Sequence, residues 1–285
     1  MMKKGYILSG IFIGVIIFLV GCSSNKSDSS ISSTNETTSS TKVLKATTSG
    51  LHYPWNYKDD KGKLTGYDVE VTEAIAEKLG YVVKWTTTDF TSQMAQLESG
   101  RTDVVAEHVA ITDKRKLTYE FTEPYAYPDI ELMETSDNNY QSLSDLKGKK
   151  VAVALGSFYE DYIRENNPDD EIEVVTYEDT SGIPNDLAYG RVDAYLNDKI
   201  SGEEKIEQSG LDLKMSGISI FKAQFAYPFA KTDEGTALKN KFDTILKELE
   251  KDGTLTKLSD KYFKEDISTL GLNNSYFDFK LSETA

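Results

Sequence analysis

From residue 43 onward, short apolar runs alternate with helix-period segments, and the alternation runs through twice. Residues 43–47 read as a strand. Residues 69–80 place Val71, Ile75 and Leu79 at i, i+4 and i+8, a helix stripe that stops at a glycine. Residues 81–86 are rich in β-formers, residues 92–99 put Met94 and Leu97 on one helix face, and residues 103–106 form a short apolar strand. A β-α-β-α-β order predicts a parallel sheet covered by helices. The second round opens at Ser144-Asp145-Leu146-Lys147-Gly148 and the strand 151–155. Gly156-Ser157 start a helix over 159–166; strands 172–177 and 192–196 follow, with a short helix about 185–189 between them. Residues 225–229 add a strand. Leu238, Phe242, Ile245 and Leu249 line one side of a closing helix that ends at Asp252-Gly253. Two similar α/β halves predict two lobes. No internal repeat is legible, and residues 270–285 carry no periodicity.

Ahead of this body, Lys3 and Lys4 precede an almost wholly apolar stretch, residues 5–20. About 16 residues at ~1.5 Å each span roughly 24 Å, short of a ~30 Å hydrocarbon core, so residues 1–21 read as a secretory signal peptide. Leu19-Val20-Gly21-Cys22 resembles the lipobox of bacterial lipoproteins. That resemblance implies acylation (palmitate and its like) of Cys22, the chain's one cysteine, and a lipid anchor on the extracytoplasmic face of the cell membrane. Residues 22–42, nearly all Ser, Thr, Asn, Asp and Lys, form a flexible linker that cannot bury enough surface to order itself. A Ser/Thr leash of this kind suits a Gram-positive surface.

Charge and composition then narrow the partners. A net charge of -15, from 47 acidic and 32 basic side chains, excludes nucleic acid, whose affinity rests on Lys and Arg at phosphates. Two histidines and no spare cysteine give no His/Cys metal site, and no cofactor is expected. The chain reads as a monomer.

Three stretches carry the chemistry. Gly66-Tyr67-Asp68-Val69-Glu70-Val71, followed by Ile75, Ala76 and Leu79, is a turn into a helix with acids at its positive end. Asp103-Val104-Val105-Ala106 leads to Ile111-Thr112-Asp113-Lys114-Arg115, and then to Phe121-Thr122-Glu123-Pro124-Tyr125. Gly190-Arg191-Val192-Asp193-Ala194 leads to Leu196-Asn197-Asp198. Over residues 43–267 these runs resemble the bacterial extracellular solute-binding proteins of family 3, which serve polar amino-acid ABC transporters, and the cystine-binding branch most of all. The resemblance implies a two-lobed, periplasmic-binding-protein-like (Venus flytrap) α/β fold with mixed, mostly parallel sheets flanked by helices. Residues 43–130 plus 223–268 would form lobe 1, residues 131–222 lobe 2, and residues 269–285 a C-terminal extension. Crossings near 128–133 and 219–224 would be the hinge. The implied partners are a free amino acid, an ABC permease and its ATPase.

The resemblance also implies roles. Arg115 would grip the ligand's α-carboxylate, as a planar guanidinium donating two parallel bonds can. Asp198, at a strand's carboxyl end, would take the α-ammonium. Ser157 and Phe158 open a helix whose first N–H groups could add donors. His52 and Trp55 sit in an aromatic, proline-containing turn, and Phe90 at a position often taken by a stacking ring; each could equally be core. At Glu107-His108-Val109-Ala110 many relatives have small or hydroxylated residues, so Ala110 would contribute only its backbone, and His108 and Glu107 could set specificity or face outward. L-Cystine is the first expectation for the ligand, with glutamine or a basic amino acid next. No nucleophile elbow, phosphate loop or paired metal histidines mark an enzyme; a cyclohexadienyl-dehydratase-like activity on the same scaffold is the alternative, and an adhesin role leaves no mark.

Overall fold

The computed structural model describes residues 42–269, so the signal peptide, Cys22, the linker and the stretch 270–285 lie outside the described residues. Its organising feature is one parallel unit made twice. The first lobe begins with β1 (Lys42–Thr48), then a small antiparallel meander of β2 (Leu51–His52), β3 (Asn56–Lys58) and β4 (Leu64–Thr65). Helix α1 (Tyr67–Lys78), β5 (Tyr81–Thr87), α2 (Phe90–Glu98) and β6 (Val104–Val105) complete the unit, in the sheet order β5-β1-β6. After β7 (Val109–Ala110), α3 (Asp113–Thr118) and β8 (Tyr119–Phe121), the chain enters the second lobe along β9 (Asp129–Thr135).

There β10 (Lys150–Ala154), α4 (Phe158–Glu165), β11 (Glu173–Tyr177), α5 (Ile183–Ala188) and β12 (Ala194–Asp198) repeat the unit, in the order β11-β10-β12. Helix α6 (Lys199–Ser209) and β13 (Leu213–Met215) follow. The chain returns through β14 (Phe221–Lys222), β15 (Phe225–Ala226) and β16 (Pro228–Ala230) to α7 (Asp233–Lys251) and α8 (Thr254–Phe263). The result is a two-lobed α/β fold in which β9 makes the second sheet mixed by pairing antiparallel with β12, β13 and β14.

The two units share a corner, a repeat not evident in the sequence alone. Gly100-Arg101-Thr102-Asp103 follows α2, and Gly190-Arg191-Val192-Asp193 follows α5. Each glycine takes a left-handed φ, 69° and 67°, and closes the helix by donating to Leu97 O or Leu187 O. Each aspartate carboxylate then accepts the backbone N–H of the central strand, from Lys45 or Lys150, at 2.8 Å.

The two passages between lobes run side by side. Asp129 and Ile130 pair with Lys222 and Phe221, Ala223 N donates to Pro128 O at 3.1 Å, and Ala126 bridges Phe225. Several elements depart from expectation. The strand 192–196 lies at Ala194–Asp198, because Asp193 belongs to the corner. The strand 225–229 is broken at Tyr227 into β15, paired with β7, and β16, paired with β8. Helices α6 and α8 were not foreseen.

Candidate functional site

The carboxyl ends of β6 and β12 face one cavity of about 150 Å³ between the lobes. Of the residues singled out from sequence, His52, Phe90, His108, Ala110, Arg115, Ser157, Phe158 and Asp198 line it. Trp55 does not. It is fully buried behind the wall and donates its indole N–H to Asp198 Oδ1 at 3.3 Å.

On the first lobe's wall the charges are matched internally. Glu107, just past β6, is buried; its Oε2 accepts from Ser49 N, Thr48 Oγ1 and Gln93 Nε2 at 2.5, 2.9 and 3.1 Å. His52 Nδ1 lies 2.8 Å from Oε1, off the line of an ideal hydrogen bond. Burial opposes ionisation of Glu107, but His52, the His108 charge and the Ser49 donor outweigh it and hold the carboxyl at about 2.

His108 comes next, with a left-handed backbone (φ 39°) uncommon for a residue bearing a Cβ. Its Nδ1 meets Asp68 Oδ2 at 2.9 Å, and its ring stacks on Trp55 with centroids 4.9 Å apart. Burial favours the neutral imidazole, yet the Asp68 hydrogen bond and the Asp68, Glu107 and Asp198 charges raise its pKa. Asp68 also accepts from Tyr125 OH at 2.7 Å and Asn56 Nδ2 at 3.1 Å, so the acid of the Gly-Tyr-Asp run serves to hold His108. The local sequence explains this placement. Gly66, at φ 120°, lets the start of α1 approach so closely that a Cβ would lie 2.4 Å from Trp55 O. The Tyr67 and Asp68 N–H groups then bond the Pro54 and Trp55 carbonyls, satisfying orphan donors of the helix.

Arg115 is supplied by α3, whose N-cap Thr112 accepts from Arg115 N at 3.1 Å. Its guanidinium donates to Ala110 O at 3.0 Å and across the cleft to Gly156 O at 3.5 Å, and lies over the Phe90 ring 5.1 Å from its centroid. Burial lowers its pKa to about 10, partly opposed by Asp161, so it is charged at neutral pH. Opposite stands α4. Ser157 caps it, accepting from Glu160 N at 3.4 Å while its hydroxyl donates to Ala154 O at 2.6 Å. That hydroxyl hydrogen is therefore committed within the lobe, which leaves the first N–H groups of α4 as the donors the helix can offer.

Asp198 is 1% exposed and caps α6, accepting from Ser201 N at 2.8 Å. Tyr159 OH accepts from Asp198 N at 3.1 Å and lies 3.5 Å from Oδ2. Among the described residues no cation stands within 4.0 Å of this carboxylate, and no carboxylate stands that close to Arg115. Asn197, 5% exposed, lines the cavity with its Nδ2 unpartnered. A buried polar group left so costs about 1–3 kcal/mol, which a ligand accepting its hydrogen would relieve.

Sequence reasoning did not anticipate Tyr159, Tyr195, Thr180, Glu204, Lys205 or Gln208 as cavity residues. Three of them sit on α6, at positions 204, 205 and 208, a helix-period face that was legible had polar residues been counted as well as apolar ones. Among the described residues no group of three or more His, Cys, Asp or Glu could hold a metal ion.

Compared with known proteins, residues 44–265 match the bacterial extracellular solute-binding proteins, family 3. The probable amino-acid-binding protein YxeM of Bacillus subtilis (strain 168) is 45% identical over 227 residues, spanning 79% of this chain and 86% of that protein. The L-cystine-binding protein TcyJ of Escherichia coli (strain K12) is 34% identical over 228 residues, spanning 77% and 82%. A solved structure, reported as the basis of glutathione import in Gram-positive bacteria via GshT and the cystine ABC importer TcyBC of Streptococcus mutans, superposes with a TM-score of 0.74 at 28% identity. It covers 80% of this chain and 98% of its own.

Proposed function

The chain belongs to the bacterial extracellular solute-binding proteins of family 3, and we propose that it captures a polar L-amino acid, L-cystine foremost, and delivers it to an ABC permease. One observation carries the reading. A half-buried cation, Arg115, and a buried carboxylate, Asp198, open on the same cavity from different lobes, and neither has a charged partner of its own among the described residues. A zwitterionic α-amino acid supplies what each lacks. Its carboxylate meets Arg115, with the first N–H groups of α4 nearby, and its ammonium meets Asp198. Phe90 and His52 flank the side chain, and Ala110 contributes backbone.

Lobe 1 takes residues 43–130 and 223–268, lobe 2 residues 131–222, and the paired passages at 126–130 and 221–225 serve as the hinge. Outside the described residues, Cys22 carries the lipid that tethers the protein to a Gram-positive membrane. Among the described residues no helix is long and apolar enough to cross a membrane. Cystine leads because an L-cystine-binding relative aligns over most of the chain. Micromolar capture corresponds to only about -8 kcal/mol, so the two ion contacts need exceed ordering and desolvation costs modestly.

Thermal unfolding against a panel of free amino acids tests the reading. A ligand at 100 times its Kd adds about 2.7 kcal/mol, roughly 5–10 °C for a domain of this size. A panel with no shift for any amino acid refutes it.

A further inference from the structure

Resting on that reading, we propose that the cavity recognises both ends of a two-headed amino acid, with Lys205 receiving a second α-carboxylate and Glu204 a second α-ammonium. The observation is a helix face that turns the wrong chemistry toward a cleft for mere packing. Ser201, Glu204, Lys205 and Gln208 follow i, i+3, i+4, i+7 spacing along α6, and all four line the cavity. A helix face of this spacing ordinarily presents apolar residues to its neighbours.

The two charged members are held ready. Gln208 Nε2 donates to Glu204 Oε1 at 2.9 Å, and Lys205 Nζ donates to Thr180 Oγ1 at 3.4 Å. Among the described residues no carboxylate lies within 4.0 Å of Lys205. Burial lowers the pKa of its ammonium although Asp198 and Asp179 act the other way, and this half-buried cation has no close counter-ion among the described residues.

Charge balance over the whole cavity gives the class of guest. His52 answers Glu107, and His108 answers Asp68. Four charged groups remain on the walls: Arg115 and Lys205, Asp198 and Glu204. Two positive and two negative groups complement two zwitterions, not one. The spacing agrees. Lys205 is seven residues along α6 from its cap Asp198, about 10 Å at 1.5 Å per residue. The two α-carbons of a disulfide-linked pair lie about 4.4–6.8 Å apart, and the flexible lysine stem spans the remainder. A basic amino acid would set its own cation against Lys205, and glutamine would leave both distal groups unanswered.

Calorimetric titration of the full chain with L-cystine and with S-methyl-L-cysteine, which keeps the first head and replaces the second by a methyl group, tests this. The expected result is at least 30-fold preference for L-cystine, lost in Lys205→Met and partly restored in Lys205→Arg, with Glu204→Gln losing about 10-fold. The losses should fall on L-cystine and not on S-methyl-L-cysteine, which also reports that the variants are folded, whereas Arg115→Ala should lose both. Equal affinity of Lys205→Met and the unaltered protein for L-cystine overturns the inference. So does a protein that prefers S-methyl-L-cysteine or binds only one-headed amino acids; in these cases the first-head reading stands. If neither probe nor any other free amino acid binds, the reading of Arg115 and Asp198 itself fails.

Discussion

The same corner, Gly-Arg-x-Asp, launches β6 in one lobe and β12 in the other, yet the residues four and five positions past its aspartate differ in kind. In the first lobe they are Glu107 and His108, whose charges are answered by His52 and Asp68 within the wall. In the second they are Asn197 and Asp198, one with an unpartnered amide and the other a buried carboxylate bonded only by neutral donors. The comparison separates frame from function. Corner, strand order and register are shared; whether the strand's last residues are neutralised inside the wall or left for a guest is set by a few neighbouring side chains.

The largest test of that contrast is Arg115→Ala, which would leave a ligand carboxylate unpaired in a closed cavity. It should weaken amino-acid binding by about 3–5 kcal/mol in a calorimetric titration, and near-normal affinity would break the comparison. Asp198→Asn comes next. Asparagine caps a helix as well as aspartate does, so α6 should hold and thermal stability change little. Ligand affinity, in contrast, should fall by roughly 2–5 kcal/mol.

On the other wall the same kind of change should register in stability. The Glu107 carboxyl sits at about 2 in the folded protein against an ordinary 4.5. Its contribution, on the order of 3 kcal/mol, is therefore complete above pH 4.5 and disappears as pH falls toward 2. Urea midpoints measured across this range should drop less steeply for Glu107→Gln. His108 has the opposite sign. Its pKa is raised, so its stabilisation is full below its ordinary 6.5 and fades as pH climbs through the higher folded value, a decline that His108→Gln should flatten. The smallest effect on binding is Trp55→Phe, which keeps an aromatic side chain but loses the indole N–H bonded to Asp198 and some buried volume; about 1 kcal/mol of binding, near fivefold, is expected.

Arg115 and Asp198 could be named from sequence because the runs that hold them, 111–115 and 196–198, resemble those of a known family; residue type alone would leave the arginine as a surface ion pair. For Trp55 the sequence leaves wall and core open; an aromatic in a turn looks the same from either side, and its burial depends on Phe225 and Phe263 from distant parts of the chain. Helix α6 escaped because its cavity face is polar and its hydrophobic stripe weak, which hid Glu204 and Lys205 with it. The corner repeat escaped for a different reason. Three identities in four residues are too few to stand out until hydrogen bonds show both aspartates doing one task. The left-handed turn at His108 had no glycine to announce it.

Phe225 stands at the return passage between the lobes, paired through β15 to Ala110, and its ring meets Trp55 and His108 on one side and Phe158 on the other, at 5.3, 5.4 and 5.8 Å. With the hinge placed as proposed, the pivot and the pocket wall lean on one side chain. Any swing of the halves must reshape the room offered to a guest, so size selection and degree of shutting are one variable here rather than two, and trimming this single ring would retune both together.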